Sequence, residues 1–217
     1  MKQNLTELVF ILDKSGSMAG LESDTIGGYN ALLDKQKKEP GCATVTTVLF
    51  DDGYELLHDR IDIRGVAPIT DKEYFVGGCT ALLDAIGKTI QKIGNVQKHT
   101  AEAERAARVL FVITTDGMEN ASREYTYGAI QQLIQRQKER YAWEFIFLGA
   151  NIDAIATAAR FGIDADRAVN YKADSRGTSL NFAVMSEVVS EFRVKQSIDK
   201  NWKRSIEEDG QKRGHEN

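Results

Sequence analysis

Two rhythms of apolar residues alternate along this chain. Leu8-Val9-Phe10-Ile11-Leu12, Val109-Leu110-Phe111-Val112-Ile113 and Phe145-Ile146-Phe147-Leu148 are uninterrupted apolar runs, as expected of strands buried on both faces of a parallel sheet. Thr44 to Phe50 and Tyr54 to Ile63 are also β-rich, and the Asp51-Asp52-Gly53 turn between them is short enough to make an antiparallel hairpin. The second segment carries Glu55, His58, Asp59 and Arg60, which marks it as an edge strand. Ala168 to Tyr171 is a candidate for a short last strand. The intervals follow the helical period instead. Ile26, Tyr29, Leu32 and Leu33 line one helix face; so do Leu82, Ile86, Ile90 and Ile93, then Ile130, Leu133 and Ile134, then Ile152, Ile155, Ala156 and Ala159. A final helix is predicted to pack through Leu180, Ala183, Val184, Val188 and Phe192.

Strands alternating with helices, plus one early hairpin, predict an α/β doubly wound, mostly parallel sheet with one antiparallel edge strand and helices on both faces. The 217 residues suffice for one sizeable core, expected over residues 1–195. Beyond Lys195 charged and polar groups dominate around Trp202 and Ile206, so 196–217 reads as a charged, mobile tail. A net charge of −4 offers no positive field to phosphate backbones or anionic lipid, which argues against nucleic acid and membrane surfaces as partners. The run Leu8–Leu12 is too short for a signal-peptide core or a membrane span, and the expected location is the cytoplasm. Cys42 and Cys79 have no Cys or His at metal-ligand spacing and read as free thiols.

In doubly wound sheets the ligand sits outside the carboxyl ends of the strands. The first apolar run leads into Asp13-Lys14-Ser15-Gly16-Ser17-Met18, and the fourth strand passes through Thr114 and Thr115 into Asp116-Gly117. The loop before the second long helix reads Gly77-Gly78-Cys79-Thr80-Ala81-Leu82-Leu83-Asp84-Ala85-Ile86. All three loops are expected to open on one edge of the sheet, bringing Asp13, Ser15, Ser17, Thr80 and Asp116 together. Donors that are all oxygen suit a hard cation, Mg2+ first, with Mn2+ or Ca2+ as alternatives. Singly, each residue has an ordinary explanation as a cap, a turn or the end of strand pairing. Five on three loops exceed what capping requires.

Asp13-Lys14-Ser15-Gly16-Ser17 resembles the Asp-x-Ser-x-Ser signature of von Willebrand factor A domains. The Gly77 to Ile86 segment and Thr115-Asp116-Gly117 follow at matching separations, and the similarity runs from about residue 5 to 195. The resemblance implies a metal-ion-dependent adhesion site. In it Ser15 and Ser17 contact the ion directly, Thr80 directly or through water, and Asp13 and Asp116 often through water, with one coordination position left for a carboxylate of a partner protein. Cys79 departs from the pattern by standing between Gly78 and Thr80, and it reads as a buried structural Cys beside the metal loop. The stretch Leu21 to Lys38 resembles stand-alone bacterial members, which implies a protein partner such as an ATPase-containing complex.

The expected function is therefore a protein-binding module that captures an acidic residue, not an enzyme. A Mg2+-dependent phosphohydrolase of the haloacid dehalogenase type also opens with an Asp after the first strand, but it needs a second Asp two residues on, where this chain has Ser15. A P-loop is missing after the first strand, and Ser17 lacks the Gly two residues earlier that a serine hydrolase requires. His58, His99 and His215 fall on an edge strand, a helix end and the tail. A scaffold whose metal only ties three loops together is the remaining alternative.

Overall fold

The computed structural model describes residues 2–214. Strands β1 (Lys2–Asp13), β2 (Cys42–Phe50), β3 (Tyr54–Asp62), β4 (Ala106–Thr115), β5 (Glu144–Gly149) and β6 (Ala168–Asn170) form one sheet in the order β3-β2-β1-β4-β5-β6. β3 is antiparallel to β2, and the other pairs are parallel. The helices are α1 (Glu22–Lys38), α2 (Leu82–His99), α3 (Tyr127–Tyr141), α4 (Ala154–Arg160), α5 (Ser175–Lys195) and α6 (Arg204–Gly214).

Side chains alternate across each strand, so every apolar run feeds two cores. Leu8, Phe10 and Leu12 of β1, with Leu110 and Val112 of β4, pack beneath α1, α5 and α6; Val9, Ile11, Phe111 and Ile113 pack beneath α2, α3 and α4. The expected doubly wound sheet with a single antiparallel edge is observed. The order reverses between β1 and β4, where Leu12 pairs with Thr114, and this switch point brings the ends of both strands side by side.

Three expectations change. The face of α4 that meets the core is Ala154 and Ala158, while Ile155 is exposed. The cause is close approach: a Cβ on Gly149 would lie 2.8 Å from the Ala154 Cβ, so α4 rests on the end of β5 and admits only small inward residues. The buried face of α5 is centred on Phe182, Met185, Val188, Val189 and Phe192, with Ala183 exposed. Small and polar residues (Gly177, Thr178 and Asn181) continue that face, so an apolar-only stripe places it too far round the helix. Residues 196–214 are also more ordered than a charged composition suggests. Ile198, Trp202 and Ile206 are buried in the α1–α5 core, and Trp202 Nε1 donates to the Asp166 carbonyl at 2.8 Å. The last part of the expected tail, 215–217, lies outside the described residues.

The edges of the sheet are irregular. The β2–β3 register shifts between Val45 and Thr47 and again between Thr47 and Val48, and Arg60 adopts a left-handed φ of 51°. The Arg60 Nε donates to both oxygens of the fully buried Glu7, at 2.8 and 3.0 Å, and Gln97 donates to the same carboxylate at 2.8 Å. His58 is buried with Nδ1 2.9 Å from the Thr47 hydroxyl, a structural role. At the other end β6 has three residues, and Lys203 Nζ donates to the Ala168 carbonyl at 2.9 Å.

Candidate metal centre

The carboxyl ends of β1 and β4 and the loop before α2 converge. Ser15 Oγ lies 3.1 Å from Ser17 Oγ, and Thr80 Oγ1 donates to Ser15 Oγ at 3.1 Å. Behind the hydroxyls, Asp13 Oδ1 accepts from the Ser15 N–H at 2.7 Å, and Oδ2 accepts from Thr115 Oγ1 at 2.6 Å and from the Asp116 N–H at 3.4 Å. Asp116 Oδ1 accepts from the Asn151 side-chain amide. Asp13, Ser15, Thr80 and Asp116 are buried, whereas Ser17 is exposed, so the cluster opens to solvent at Ser17. The five residues singled out from sequence are thus neighbours.

A stiff frame holds them. Ser15 precedes a turn of 3-10 helix, Gly16–Met18, whose Gly16 N–H donates to the Gly78 carbonyl at 3.2 Å, while the Gly77 N–H donates to Lys14 O at 2.9 Å. Gly78 sits at φ +69°, a left-handed conformation that glycine adopts without strain. Thr80 and Asn120 exchange hydrogen bonds: the Thr80 N–H donates to the Asn120 side chain at 2.9 Å, and the Asn120 N–H to the Thr80 carbonyl at 3.0 Å. The loop after Asp116 is stitched to the start of α2 by two carboxylates. Asp84 accepts from the backbone of Arg123, Glu124 and Tyr125, and Glu119 accepts from the N–H groups of Leu83, Ala121 and Ser122. Glu119 is therefore occupied in the frame and does not fill the hydroxyl cluster.

Burial pushes the Asp13 carboxyl above its ordinary value, against the opposing hydrogen bonds from Ser15 and Thr115. Asp116 is pushed up to about 6, first by burial, with the Asn151 amide opposing and the neighbouring charge of Asp13 adding to the rise. Two desolvated carboxylates side by side without a cationic side chain between them form a site that favours an added positive charge. A Cβ on Gly117 would stand 3.1 Å from both Ser17 Oγ and Thr80 Oγ1, so glycine keeps the space before the hydroxyls clear. Among the described residues no three His, Cys, Asp or Glu side chains form a metal cluster. The donors here are two carboxylates and three hydroxyls, a set that fits a hard cation.

The sequence reading missed Thr115 and Asn151. Thr115 is a fully buried polar residue ending an apolar strand, and Asn151 follows β5 at a left-handed φ of 54°, which Asn tolerates better than most residues. Cys79 is corrected: it is exposed, because Gly78 turns the chain and Thr80, not Cys79, faces inward. Both cysteines are free thiols.

A crossover sheet with oxygen-bearing loops at its switch point defines a doubly wound α/β domain. No family model and no curated protein sequence matches the chain. Solved structures do match in shape. A von Willebrand factor type A structure from Catenulispora acidiphila has TM-score 0.60 at 15% identity, over 87% of this chain and 43% of that one. Manganese-loaded TRAP protein of Plasmodium vivax has TM-score 0.58 at 18% identity, over 83% and 73%. Proximal thread matrix protein 1 from the mussel byssus, with a zinc-occupied MIDAS motif, has TM-score 0.58 at 12% identity, over 88% and 47%. The chain spans about half the length of the byssus protein. At these identities the likeness is one of fold, and the fold is that of von Willebrand factor A domains.

Proposed function

We propose that this protein is a divalent-metal-dependent protein-binding module that captures an acidic side chain of a partner. The observation that carries the reading is the trio of hydroxyls, with Ser17 and Thr80 each 3.1 Å from Ser15, beside Asp13 and Asp116. Bound there, Mg2+, or alternatively Mn2+ or Ca2+, supplies a positive charge with a coordination position open to an acidic oxygen. Ser15, Ser17 and Thr80 offer neutral oxygens, so they leave much of that charge uncompensated. Asp13, held by Ser15 N–H and Thr115, keeps the first loop in register with β4, and Asn151 orients Asp116. Met118, two residues after Asp116, is exposed, and so is Phe75, on whose ring the Lys14 ammonium rests at 4.5 Å. The manganese and zinc in two of the fold relatives support a divalent ion. The reading extends to a cytoplasmic location and a protein partner, of which an ATPase-containing complex is the kind the bacterial resemblance implies.

Calorimetric titration with Mg2+ tests the site. Asp13→Ala and Thr80→Ala are expected to weaken binding by at least about 10- to 100-fold while circular dichroism stays native; wild-type affinity in both removes the assignment. A pull-down from the source cells, with Mg2+ and again with chelator, tests recognition. A partner retained under chelation, with the fold intact, favours the scaffold instead. No phosphomonoester hydrolysis is expected, since Ser15 occupies the place of the general acid; turnover abolished by Asp13→Asn would establish the phosphohydrolase.

A further inference from the structure

Residues 66–81, which carry Thr80 into the hydroxyl cluster, form neither strand nor helix. Buried Val66, Ile69 and Tyr74 anchor the first part of this segment, and at its end the Ala81 N–H donates to the Asp51 carbonyl at 2.7 Å. Between those anchors the segment runs along the first loop, Asp13 to Met18. Tyr74 Oη donates to the Asp13 carbonyl at 2.5 Å, the Gly77 N–H donates to the Lys14 carbonyl at 2.9 Å, and the Gly78 carbonyl accepts from the Gly16 N–H at 3.2 Å.

Lys14 joins this seam with its side chain as well as its backbone. Its N–H donates to the Phe50 carbonyl of β2 at 2.8 Å, its ammonium donates to Glu55 of β3 at 2.9 Å, and the same ammonium lies 4.5 Å from the centre of the Phe75 ring. The Lys14 side chain is only 7% exposed, whereas that of Glu55 is 43% exposed and Phe75 is 59% exposed. Withdrawing an ammonium from water is costly, and a lysine is seldom buried this far. A carboxylate half open to solvent and a ring on the surface are weak compensation taken as an isolated pair. What the buried position does achieve is a tie between β3 and Phe75, in the segment that leads to Thr80.

We propose, on the metal-binding reading above, that Lys14 is a positioning residue for the metal centre: it clamps the segment around Phe75 to Glu55 and so sets the place of Thr80 against Ser15. Three roles for this lysine differ in sign. A cation acting through its charge beside a cation site would repel the metal, and its removal would strengthen binding. A lysine that only stabilises the fold would, when removed, lower the urea midpoint and leave the affinity of the folded chain unchanged. The positioning role requires weaker binding in a chain that is still folded.

The full chain carries the test. In calorimetric titration with Mg2+, Lys14→Met, which keeps an unbranched apolar stem, is expected to bind about tenfold more weakly than wild type, and Lys14→Arg, which keeps the cation, to recover most of that loss. Glu55→Gln and Phe75→Leu are each expected to weaken binding in the wild-type background and to add nothing to Lys14→Met, because the clamp is then already open. Amide hydrogen exchange without metal gives a second readout: the Gly77 N–H is expected to exchange about fivefold faster or more in Lys14→Met. Equal or tighter Mg2+ binding by folded Lys14→Met, or unchanged exchange at Gly77, would overturn the proposal. Should Lys14→Met not fold, Glu55→Gln and Phe75→Leu, at partly exposed positions, decide by the same two readouts. A wild-type chain that binds no Mg2+ removes the metal reading, while exchange at Gly77 still decides whether Lys14 holds the segment.

Discussion

Asp13 is held by hydrogen bonds that few substitutions can replace. Thr115 Oγ1 donates to its buried carboxylate at 2.6 Å, and Thr115→Val keeps the shape of the side chain while deleting that donor. An unpaired buried acceptor costs about 1–3 kcal/mol, so urea unfolding is expected to show a loss of that size and calorimetry a weaker metal isotherm. Unchanged stability would mean the bond organises nothing. At Gly78 the demand is conformational, a φ of +69°, and Gly78→Ala is expected to destabilise by more than about 1 kcal/mol, measured in the same way. The five hydroxyl and carboxyl residues could be read from sequence because each stands next to a glycine-rich turn or a strand end. Thr115 and Asn151 could not, since a lone polar residue at the end of an apolar run carries no sign of which neighbour it serves.

Elements were legible where the apolar pattern alone decides packing. β1, β4 and β5 are buried on both faces, and α1, α2 and α3 show one apolar side, so pattern and structure coincide. α4 departs because its inward face is Ala154 and Ala158, and α5 because Gly177, Thr178 and Asn181 extend the inward face that Phe182 to Phe192 form; small and polar inward positions are not encoded by hydrophobicity. The start of α2 owes its place to Asp84. Burial alone would raise this carboxyl, but the backbone N–H groups of Arg123, Tyr125 and Glu124 outweigh it and hold the group below its ordinary value. A depressed folded value stabilises the fold above the unfolded value of about 3.9 and loses that contribution as pH falls through the folded one. Asp84→Asn is therefore expected to be clearly less stable than wild type at neutral pH, with the difference shrinking under acid; a gap that stays constant with pH would contradict this.

At the scale of the whole molecule, the last segment belongs to the core. Trp202, with its indole bonded to Asp166 and its ring among Ile198, Ile206 and the α5 side chains, is expected to cost about 3–5 kcal/mol when truncated to Ala. A native urea midpoint in Trp202→Ala would restore the view of 196–214 as a separate tail. That segment was hidden from sequence because its apolar residues are thinly spread among charges. The two irregular margins of the sheet have a further consequence. An exposed strand margin is a template on which a foreign chain can lengthen the sheet through main-chain bonds. Here one margin is kinked twice and turned by Arg60, and the other is three residues long with Lys203 occupying a carbonyl. Strand addition is thereby discouraged at both ends, so the sheet is a poor template for lengthening by a foreign strand.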